Sequence, residues 1–364
     1  MKLDIITLQA VQNYGSVLQA YATQEIFRQH GCDVTIINYI RENVRPENLL
    51  HTWSKGNPIK KLVMLPTVRR WEKVFGGFNA KYLNLTDKVY TTEEDFKNYP
   101  LDADIYCTGS DQVWNSKWNR GIIPPLYLSF VPEDCFKFAF SASFGQDKLD
   151  QQEIDATRKY IHQYQFISVR ESSAKTIIEE QYGYPEAVHI LDPTLAMPPE
   201  FWRKHTGQPR IKEPYILIYN LNRSREFNRY AVKLAKKTGM KLIRFCTRYD
   251  QIFQSGQSML VPEVTDFINL IANANYVLTD SFHATAFSMN LNTHPLCVYP
   301  PAFGGRLKSF LTLTDSLQCH VKNYEDFDAP NRAVDFQKVN LILDKERQKV
   351  NDFIEKVLTA ASER

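Results

Sequence analysis

Four short polar clusters contain the side chains that could carry out chemistry, and each is placed where a predicted β-strand ends. The clusters are QNYGS at 12–16, TGSDQVWN at 108–115, SVRE at 168–171 and TDSFH at 279–283. Ligands of doubly wound α/β folds bind beyond the carboxyl ends of the strands, which lie along one edge of a parallel sheet. The sequence therefore predicts that chemistry takes place where these strands end.

The cluster at 279–283 could bind an anion. Asp280 or Ser281 can cap a helix that begins at Phe282, which places His283 in the first helical turn. The backbone N–H groups and the positive dipole end of a helix N-terminus favour anions, and a histidine there can supply a proton near neutral pH. A buried structural histidine is the alternative interpretation.

The cluster at 108–115 combines a carboxylate, two amides and an indole. Ser110, Asp111, Gln112 and Asn115 could hydrogen-bond sugar hydroxyls, while Trp114 packs on the apolar face of a sugar ring. The alternative is a turn in which Asp111 is a cap and Trp114 is a core residue.

The first cluster offers a place where a ligand could approach the backbone. Gly15 follows Asn13 and Tyr14 and precedes a predicted helix whose first N–H groups lack intrahelical partners. Ordinary helix capping by Asn13 or Ser16 is the alternative.

The third cluster offers a cation. Arg170 would emerge at a strand end, where a guanidinium can bind phosphate or carboxylate. A surface pair between Arg170 and Glu171, or a helix-dipole role for Glu171, explains the same residues without a ligand.

Strands and helices alternate along the chain, which predicts an α/β fold built on parallel sheets. LDIITL, a helical segment and DVTIINY form the first such unit, and a second series of alternations begins at PYILIYNL, after a proline-rich linker. We expect two Rossmann-like doubly wound domains, residues 1–195 and 196–338, facing across a cleft. Residues 339–364 are expected to form a helix that packs back on the first domain, because its apolar stripe must be buried.

Composition excludes several classes of function. The net charge of +3 gives no nucleic-acid footprint, and no apolar segment is long enough for a signal peptide or a membrane span. The six cysteines are scattered without a C-x-x-C pair, so no metal or redox template is matched. We expect a cytoplasmic protein with free thiols, no metal and no cofactor.

The clusters together resemble the polysaccharide pyruvyl transferase family. The resemblance is carried by NYGSVLQAYA, TGSDQVWN, SASFG, SVRE, LDPTL and TDSFHATAFS, and it runs from about Ile5 to Phe310. It is thinnest between Arg41 and Tyr99. Many relatives have glycine where this chain has Ala284.

The resemblance implies a GT-B-like fold and transfer of a pyruvyl group from phosphoenolpyruvate to a sugar, which forms a pyruvate ketal. The donor would bind chiefly to the second domain and the acceptor to the first. His283 would be the general acid, and Asp111, or second Glu171, the general base. The expected donor-binding residues are Arg170, Ser281, Ala284, Arg223, Arg244 and Arg306. The expected acceptor-binding residues are Asn13, Tyr14, Gly15, Ser110, Gln112, Trp114 and Asn115.

Two other functions stay open. One is a nucleotide-sugar glycosyltransferase on the same fold, because fold does not determine function. The other is a non-catalytic carbohydrate-binding protein. The acceptor's carrier, a lipid or a nucleotide, is also open. Hydrophobic loops between Arg41 and Tyr99 could contact a membrane peripherally, but the amphipathic pattern of the sequence there is too weak to argue it.

Overall fold

Two parallel β-sheets organise the protein, whose computed structural model describes residues 1–222, 224–300 and 304–364. The strands of the first sheet are β1 Lys2–Ile6, β2 Asp33–Ile36, β3 Ile105–Thr108, β4 Phe136–Ala142, β5 Phe166–Val169 and β6 Ala187–His189. Those of the second are β7 Tyr215–Tyr219, β8 Lys241–Cys246, β9 Gln257–Leu260, β10 Tyr276–Thr279 and β11 His294–Cys297.

The strand order reverses once in each sheet. The first sheet has the order β2-β1-β3-β4-β5-β6, so its direction of winding changes between β1 and β3. The second has the order β11-β10-β7-β8-β9 and changes direction between β7 and β10. Such switch points are where doubly wound sheets bind ligands, because the loops from the two strands diverge there and leave a crevice.

Helices connect the strands. In chain order they are α1 Tyr14–Gln29, α2 Pro46–Ser54, α3 Pro58–Trp71, α4 Gly77–Tyr82, α5 Glu93–Asn98, α6 Ser116–Asn119, α7 Gln151–Ile161, α8 Ser172–Thr176, α9 Pro193–Ala196, α10 Pro199–Arg203, α11 Arg225–Thr238, α12 Val264–Ala272, α13 Phe282–Asn290, α14 Gly304–Leu313 and α15 Phe336–Ser362. A 3₁₀ segment, Tyr249–Phe253, precedes β9. Local sequence explains several boundaries: Asn57 caps α3 and Pro58 follows at the first helical position, while Gly239, with φ of 69°, ends α11.

The chain divides into two compact units that are discontinuous in sequence. Unit 1 comprises residues 1–45, 78–196 and 345–364, and unit 2 comprises 46–77 and 197–344. The sequence-based boundaries, 1–195, 196–338 and 339–364, stay a prediction of domain organisation; residues 46–77, which they assign to the first domain, group with unit 2. Unit 1 contains the last two-thirds of α15, where the ring of Phe353 lies 6.4 Å from that of Phe140 on β4.

Each sheet is covered by apolar side chains from its helices. In unit 1, Phe27 of α1 packs its ring 4.9 Å from Phe140 and 5.5 Å from Phe138, both on β4. In unit 2, Phe267 of α12 lies 4.9 Å from Tyr219 on β7. These contacts fix the helices against the sheets and so fix the loops at the strand ends.

The sequence predicts strands in LDIITL, DVTIINY, ADIYCTGSD, FKFAFSASFG, FISVRE, AVHILDP, PYILIYNL, KLIRFCT, NYVLTD and HPLCVYP, and each of these segments overlaps an observed strand. The exception is β9, which the sequence does not predict. QSML at 257–260 is half-buried and forms the edge of the second sheet, and its sequence has none of the β-branched residues that mark strands. Pairing with β8, and not intrinsic propensity, makes this segment a strand.

Candidate active site

In unit 1, three of the predicted polar clusters meet around one buried arginine. The guanidinium of Arg170, just after β5, lies 2.7 Å from Asp192, 3.2 Å from Asp111 and 3.3 Å from Glu171. Its side chain is 0% exposed. Asp111 follows β3 and Asp192 follows β6, so Arg170 links the ends of three strands at the carboxyl edge of the sheet. We call these four residues the arginine–carboxylate cluster.

Hydroxyl groups complete the cluster. Ser16 Oγ, in the first turn of α1, donates to Asp111 Oδ2 at 2.5 Å. Ser143 Oγ donates to Glu171 Oε1 at 2.6 Å, and Thr194 donates to Asp192 Oδ1 through both its backbone N–H and its hydroxyl. The Ser16–Asp111 bond joins the residues after β1 and β3 and therefore spans the switch point of the first sheet.

The charges of the cluster are unequal, because three carboxylates surround one guanidinium. Burial alone would lower the pKa of Arg170, but the charges of Glu171, Asp111 and Asp192 raise it above the ordinary value. Arg170 is therefore a fully ion-paired cation. This differs from the expectation of an arginine available to a donor phosphate, since three anions already occupy its hydrogen-bonding groups and a further anion would meet an excess of negative charge.

Among the described residues, none donates a hydrogen bond to one oxygen of the cluster. Glu171 Oε2 is buried and, among the described residues, accepts no hydrogen bond. The backbone nearby is also unusual: Asp111 has φ of 74° and Ser141 has φ of 53°, in the left-handed region that non-glycine residues rarely adopt. Such conformations persist where the surrounding contacts enforce them, and they concentrate at functional sites.

Several expected acceptor-binding residues have structural roles instead. Asn13 caps α1 by accepting from the N–H groups of Gly15 and Ser16, and Tyr14 and Gly15 are buried within the helix. Trp114 is a core residue, 1% exposed, whose indole stacks on Tyr127 and donates to Leu126 O. An indole enclosed in this way cannot pack on a sugar ring, so the prediction for Trp114 is wrong.

The rest of that group lies at the same strand end. Asn115 caps α6 and its amide donates to the side chain of Gln112 at 2.6 Å. Ser110 is buried with its hydroxyl 3.5 Å from Asp192 Oδ2. Gln112 is the more accessible of these side chains, being half-buried.

In unit 2, the predicted helix start is present. Ser281 caps α13 by accepting from the N–H of Ala284 at 3.4 Å, and His283 lies in the first turn. The His283 ring is largely buried and packs edge-on against Phe282, with ring centroids 5.4 Å apart. The nine-residue helix thus begins at the carboxyl edge of the second sheet, with its N-terminal N–H groups there and His283 in its first turn.

Asp280 organises the neighbouring loop and was not among the predicted site residues. Its carboxylate accepts from the backbone N–H groups of Leu221 and Asn222, each at 2.8 Å, and from the amides of Asn220 and Asn222. Burial raises the pKa of Asp280, an effect that these hydrogen bonds oppose. Asp280 follows β10 and residues 220–222 follow β7, so these bonds span the switch point of the second sheet.

Two predicted donor-binding arginines of unit 2, Arg244 and Arg306, are described by the structure and lie in different elements. Arg244 lies inside β8, and its guanidinium donates to Ser255 O. Ser255 precedes β9, so this arginine reaches toward the amino edge of the sheet and not toward the predicted site. Arg306 lies half-buried in the first turn of α14. Arg223 lies outside the described residues.

Asp192 belongs to the arginine–carboxylate cluster of unit 1 but was not among the predicted site residues. The signal was available, since Asp192 follows a strand in the motif LDPTL. In the part of the chain that the structure describes, no group of three or more His, Cys, Asp and Glu side chains has the arrangement of a metal site. None of the helices described is long and apolar enough to cross a membrane.

The fold is that of the GT-B enzymes. Phytolacca americana UGT2, solved with UDP-2fluoro-glucose and pterostilbene, superposes with a TM-score of 0.52 at 10% identity over 99% of each chain. Staphylococcus aureus MnaA, solved with UDP, gives 0.52 at 10% identity over 98% of this chain and 96% of its own. The spinosyn forosaminyltransferase SpnP gives 0.51 at 10% identity over 100% and 99%. At such identities the likeness extends to the fold alone.

The family follows from the sequence. The model of the polysaccharide pyruvyl transferase family matches residues 13–300, and the chain belongs to this family. The matched range contains the residues whose hydrogen bonds span the two switch points: Ser16 and Asp111 in the first sheet, and Asp280 with residues 220–222 in the second. A search of curated proteins gives no match.

Proposed function

We propose that the protein transfers the pyruvyl group of phosphoenolpyruvate to a sugar of a surface polysaccharide or exopolysaccharide, or of its precursor, in the cytoplasm. The product is a pyruvate ketal across two hydroxyls, and phosphate is released. Family membership supports a transferase acting on a sugar. The observation that carries the proposal is that each unit has a buried polar cluster at the switch point of its sheet.

Unit 2 is proposed as the donor side. Phosphoenolpyruvate is an anion, and the N-terminus of α13 offers N–H groups, a favourable dipole and His283. A neighbouring phosphate favours the charged form of a histidine, which would then serve as the general acid. Asp280 has a positioning role, because it holds residues 220–222 next to this helix start. Arg306 and Arg223 stay proposed donor-binding cations, and Arg244 is left out.

Unit 1 is proposed as the acceptor side, with Glu171 as the general base. Asp111, the first candidate from sequence, has one oxygen on Arg170 and the other on Ser16. Glu171 contacts Arg170 through Oε1, and its Oε2 accepts no hydrogen bond from the described residues. That oxygen could accept the proton of a sugar hydroxyl. Arg170 is proposed as a positioning residue that orients both carboxylates.

The reaction balances with one acid and one base. Two sugar oxygens form bonds to C2 of phosphoenolpyruvate, and the bond between C2 and the phosphate oxygen breaks. The methylene carbon takes one proton and becomes a methyl group. The two hydroxyl groups lose one proton each. One of these protons restores the proton that the general acid gave to the methylene carbon, and the other leaves with phosphate. No metal or cofactor is needed in this scheme.

The proposal is tested by incubating the purified protein with phosphoenolpyruvate and a panel of glycans. Formation of a ketal, detected by mass spectrometry of the glycan, should accompany stoichiometric phosphate release. A thermal-shift panel separates the alternatives, because only ligands that bind the folded state raise its melting temperature. Stabilisation by phosphoenolpyruvate supports the proposal. Stabilisation by UDP-sugars alone would indicate a glycosyltransferase, and stabilisation by glycans alone a binding protein.

A further inference from the structure

Helix α3 of unit 2 has two apolar faces, and only one of them is buried. Met64, Thr67, Val68 and Trp71 pack into the unit. On the other side of the helix, Ile59, Leu62, Val63 and Pro66 recur at i, i+3, i+4 and i+7 and are all exposed. Ile59 and Leu62 are each 74% exposed. A surface helix of a water-soluble unit ordinarily presents charged and polar residues there.

The exposed apolar surface continues onto the segment that packs against α3. Tyr249 N–H donates to Thr67 Oγ1 at 3.1 Å, and Trp71 Nε1 donates to Thr247 O at 2.8 Å. The 3₁₀ segment held in this way carries Ile252 and Phe253, which is 92% exposed. We define the α3 surface as Trp53, Ile59, Leu62, Val63, Ile252 and Phe253. These are six of the 13 large hydrophobic side chains that are exposed among the described residues.

The segment that carries most of these side chains is rich in cations. Residues 46–77 contain six Lys and Arg but only two Asp and Glu, a net charge of +4 on a chain whose total is +3. Within the described residues, five of the six cations form no ion pair with the protein. They are Lys55, Lys60, Lys61, Arg69 and Lys73; the sixth, Arg70, pairs with Glu263.

We propose that the α3 surface docks the protein onto an anionic lipid bilayer. A bilayer accepts apolar side chains into its acyl boundary and attracts lysine and arginine through its anionic headgroups, which matches both features of this surface. Two copies of the chain joined face to face would bring these cations together, so charge disfavours self-association. The proposal does not depend on the transfer reaction, although a membrane-bound enzyme would be suited to a lipid-linked sugar.

The test is co-sedimentation of the full chain with vesicles of phosphatidylcholine alone or mixed with phosphatidylglycerol. We expect binding to the anionic vesicles and little binding to the neutral ones, weakened as salt screens the charges. The emission of exposed Trp53 should shift to shorter wavelength on binding, and Trp53→Phe should abolish the shift. Absence of binding to anionic vesicles at low salt would overturn the proposal.

Matched substitutions localise the contact. Leu62→Glu should weaken vesicle binding by roughly tenfold or more, because an apolar anchor is replaced by an anion. Leu341→Glu is the control, since Leu341 of α15 is also exposed, at 65%, and lies outside the α3 surface. Both side chains are largely in solvent, so both variants should keep the circular dichroism spectrum of the parent. Equal binding by the two variants would overturn the proposal.

Charge reversal tests the second feature. Lys55→Glu with Lys60→Glu should weaken binding to anionic vesicles by one to two orders of magnitude. Lys204→Glu with Lys236→Glu makes the same change in net charge at exposed positions elsewhere in unit 2 and should have a small effect. If the first pair has no larger effect than the second, the contact is not at the α3 surface. Concentration-dependent dimers abolished by Leu62→Glu without lipid would identify a second copy as the occupant instead.

Discussion

Arg170 Nη1 donates to Asp192 Oδ2 at 2.7 Å, and both side chains are 0% exposed. The two residues follow adjacent parallel strands, β5 and β6, and the same guanidinium reaches Asp111 after β3. One cation thus links the loops that follow β3, β5 and β6, at the edge where the acceptor is proposed to bind. Its proposed role, to orient carboxylates, has consequences for stability as well as for activity.

Arg170→Met should lower the free energy of unfolding by about 3–5 kcal/mol, the cost of leaving buried charges without a partner. Urea denaturation measures the loss. Arg28→Met is the control: its pair with Glu25 is on the surface and is expected to contribute less than about 1 kcal/mol. Similar losses in the two variants would contradict the assignment.

Glu171→Gln should reduce kcat by roughly two to four decades if Glu171 is the general base. The free energy of unfolding should stay the same or rise slightly, because the cluster has more negative than positive charge. Ketal formation and urea denaturation on the same preparation separate the two effects. Glu180→Gln, at an exposed position, is the control. A large loss of activity in Asp111→Asn with little loss in Glu171→Gln would return the base to Asp111.

His283→Gln should reduce transfer by roughly two to four decades, because glutamine keeps a hydrogen-bond donor but cannot deliver a proton. The melting temperature should barely change. His283→Ala should be equally slow and should also lose phosphoenolpyruvate binding. The opposite pattern, a clear loss of stability with activity per folded molecule preserved, would identify His283 as a structural residue.

Because His294 is half-buried, we expect the free energy of unfolding to depend on pH. Burial, with the charge of Arg332, lowers the pKa of His294 to about 4 from an ordinary 6.5. The unfolded chain therefore takes up a proton that the folded state resists, so stability is fully present above pH 6.5 and is lost as pH falls toward 4. The shift corresponds to about 3 kcal/mol. His294→Leu should flatten this part of the stability–pH curve, whereas His51→Gln, at an exposed position, should not.

The parallel strands were predictable because each is a short apolar run followed by a turn. Ten of the 11 described strands correspond to such runs, from LDIITL to HPLCVYP. The edge strand β9 was not predictable, since its half-buried sequence QSML carries no strand pattern. Nor was the grouping of residues 46–77 with unit 2, because it depends on contacts such as that between Trp71 and Thr247, which are far apart in sequence.

The positions of the candidate site residues after the strands were predictable from the sequence, but their contacts were not. Polar residues after strands identified Asp111, Arg170 and His283. Sequence could not show that Arg170 is enclosed by three acids, since this requires the spacing of β3, β5 and β6 in the sheet. Trp114 shows the same limit: its residue type suits a sugar platform, while its packing against Tyr127 makes it part of the core.

The discontinuity of unit 1 has a consequence for biosynthesis. Its last segment, residues 345–364, contributes the buried side chains of Val350, Phe353, Ile354 and Val357. A ribosome makes this segment only after all of unit 2 has been made. Unit 1 therefore cannot finish folding before unit 2 has been synthesised. Until residues 345–364 emerge, part of the apolar surface of its β-sheet stays uncovered, and such exposed surface favours aggregation and chaperone binding.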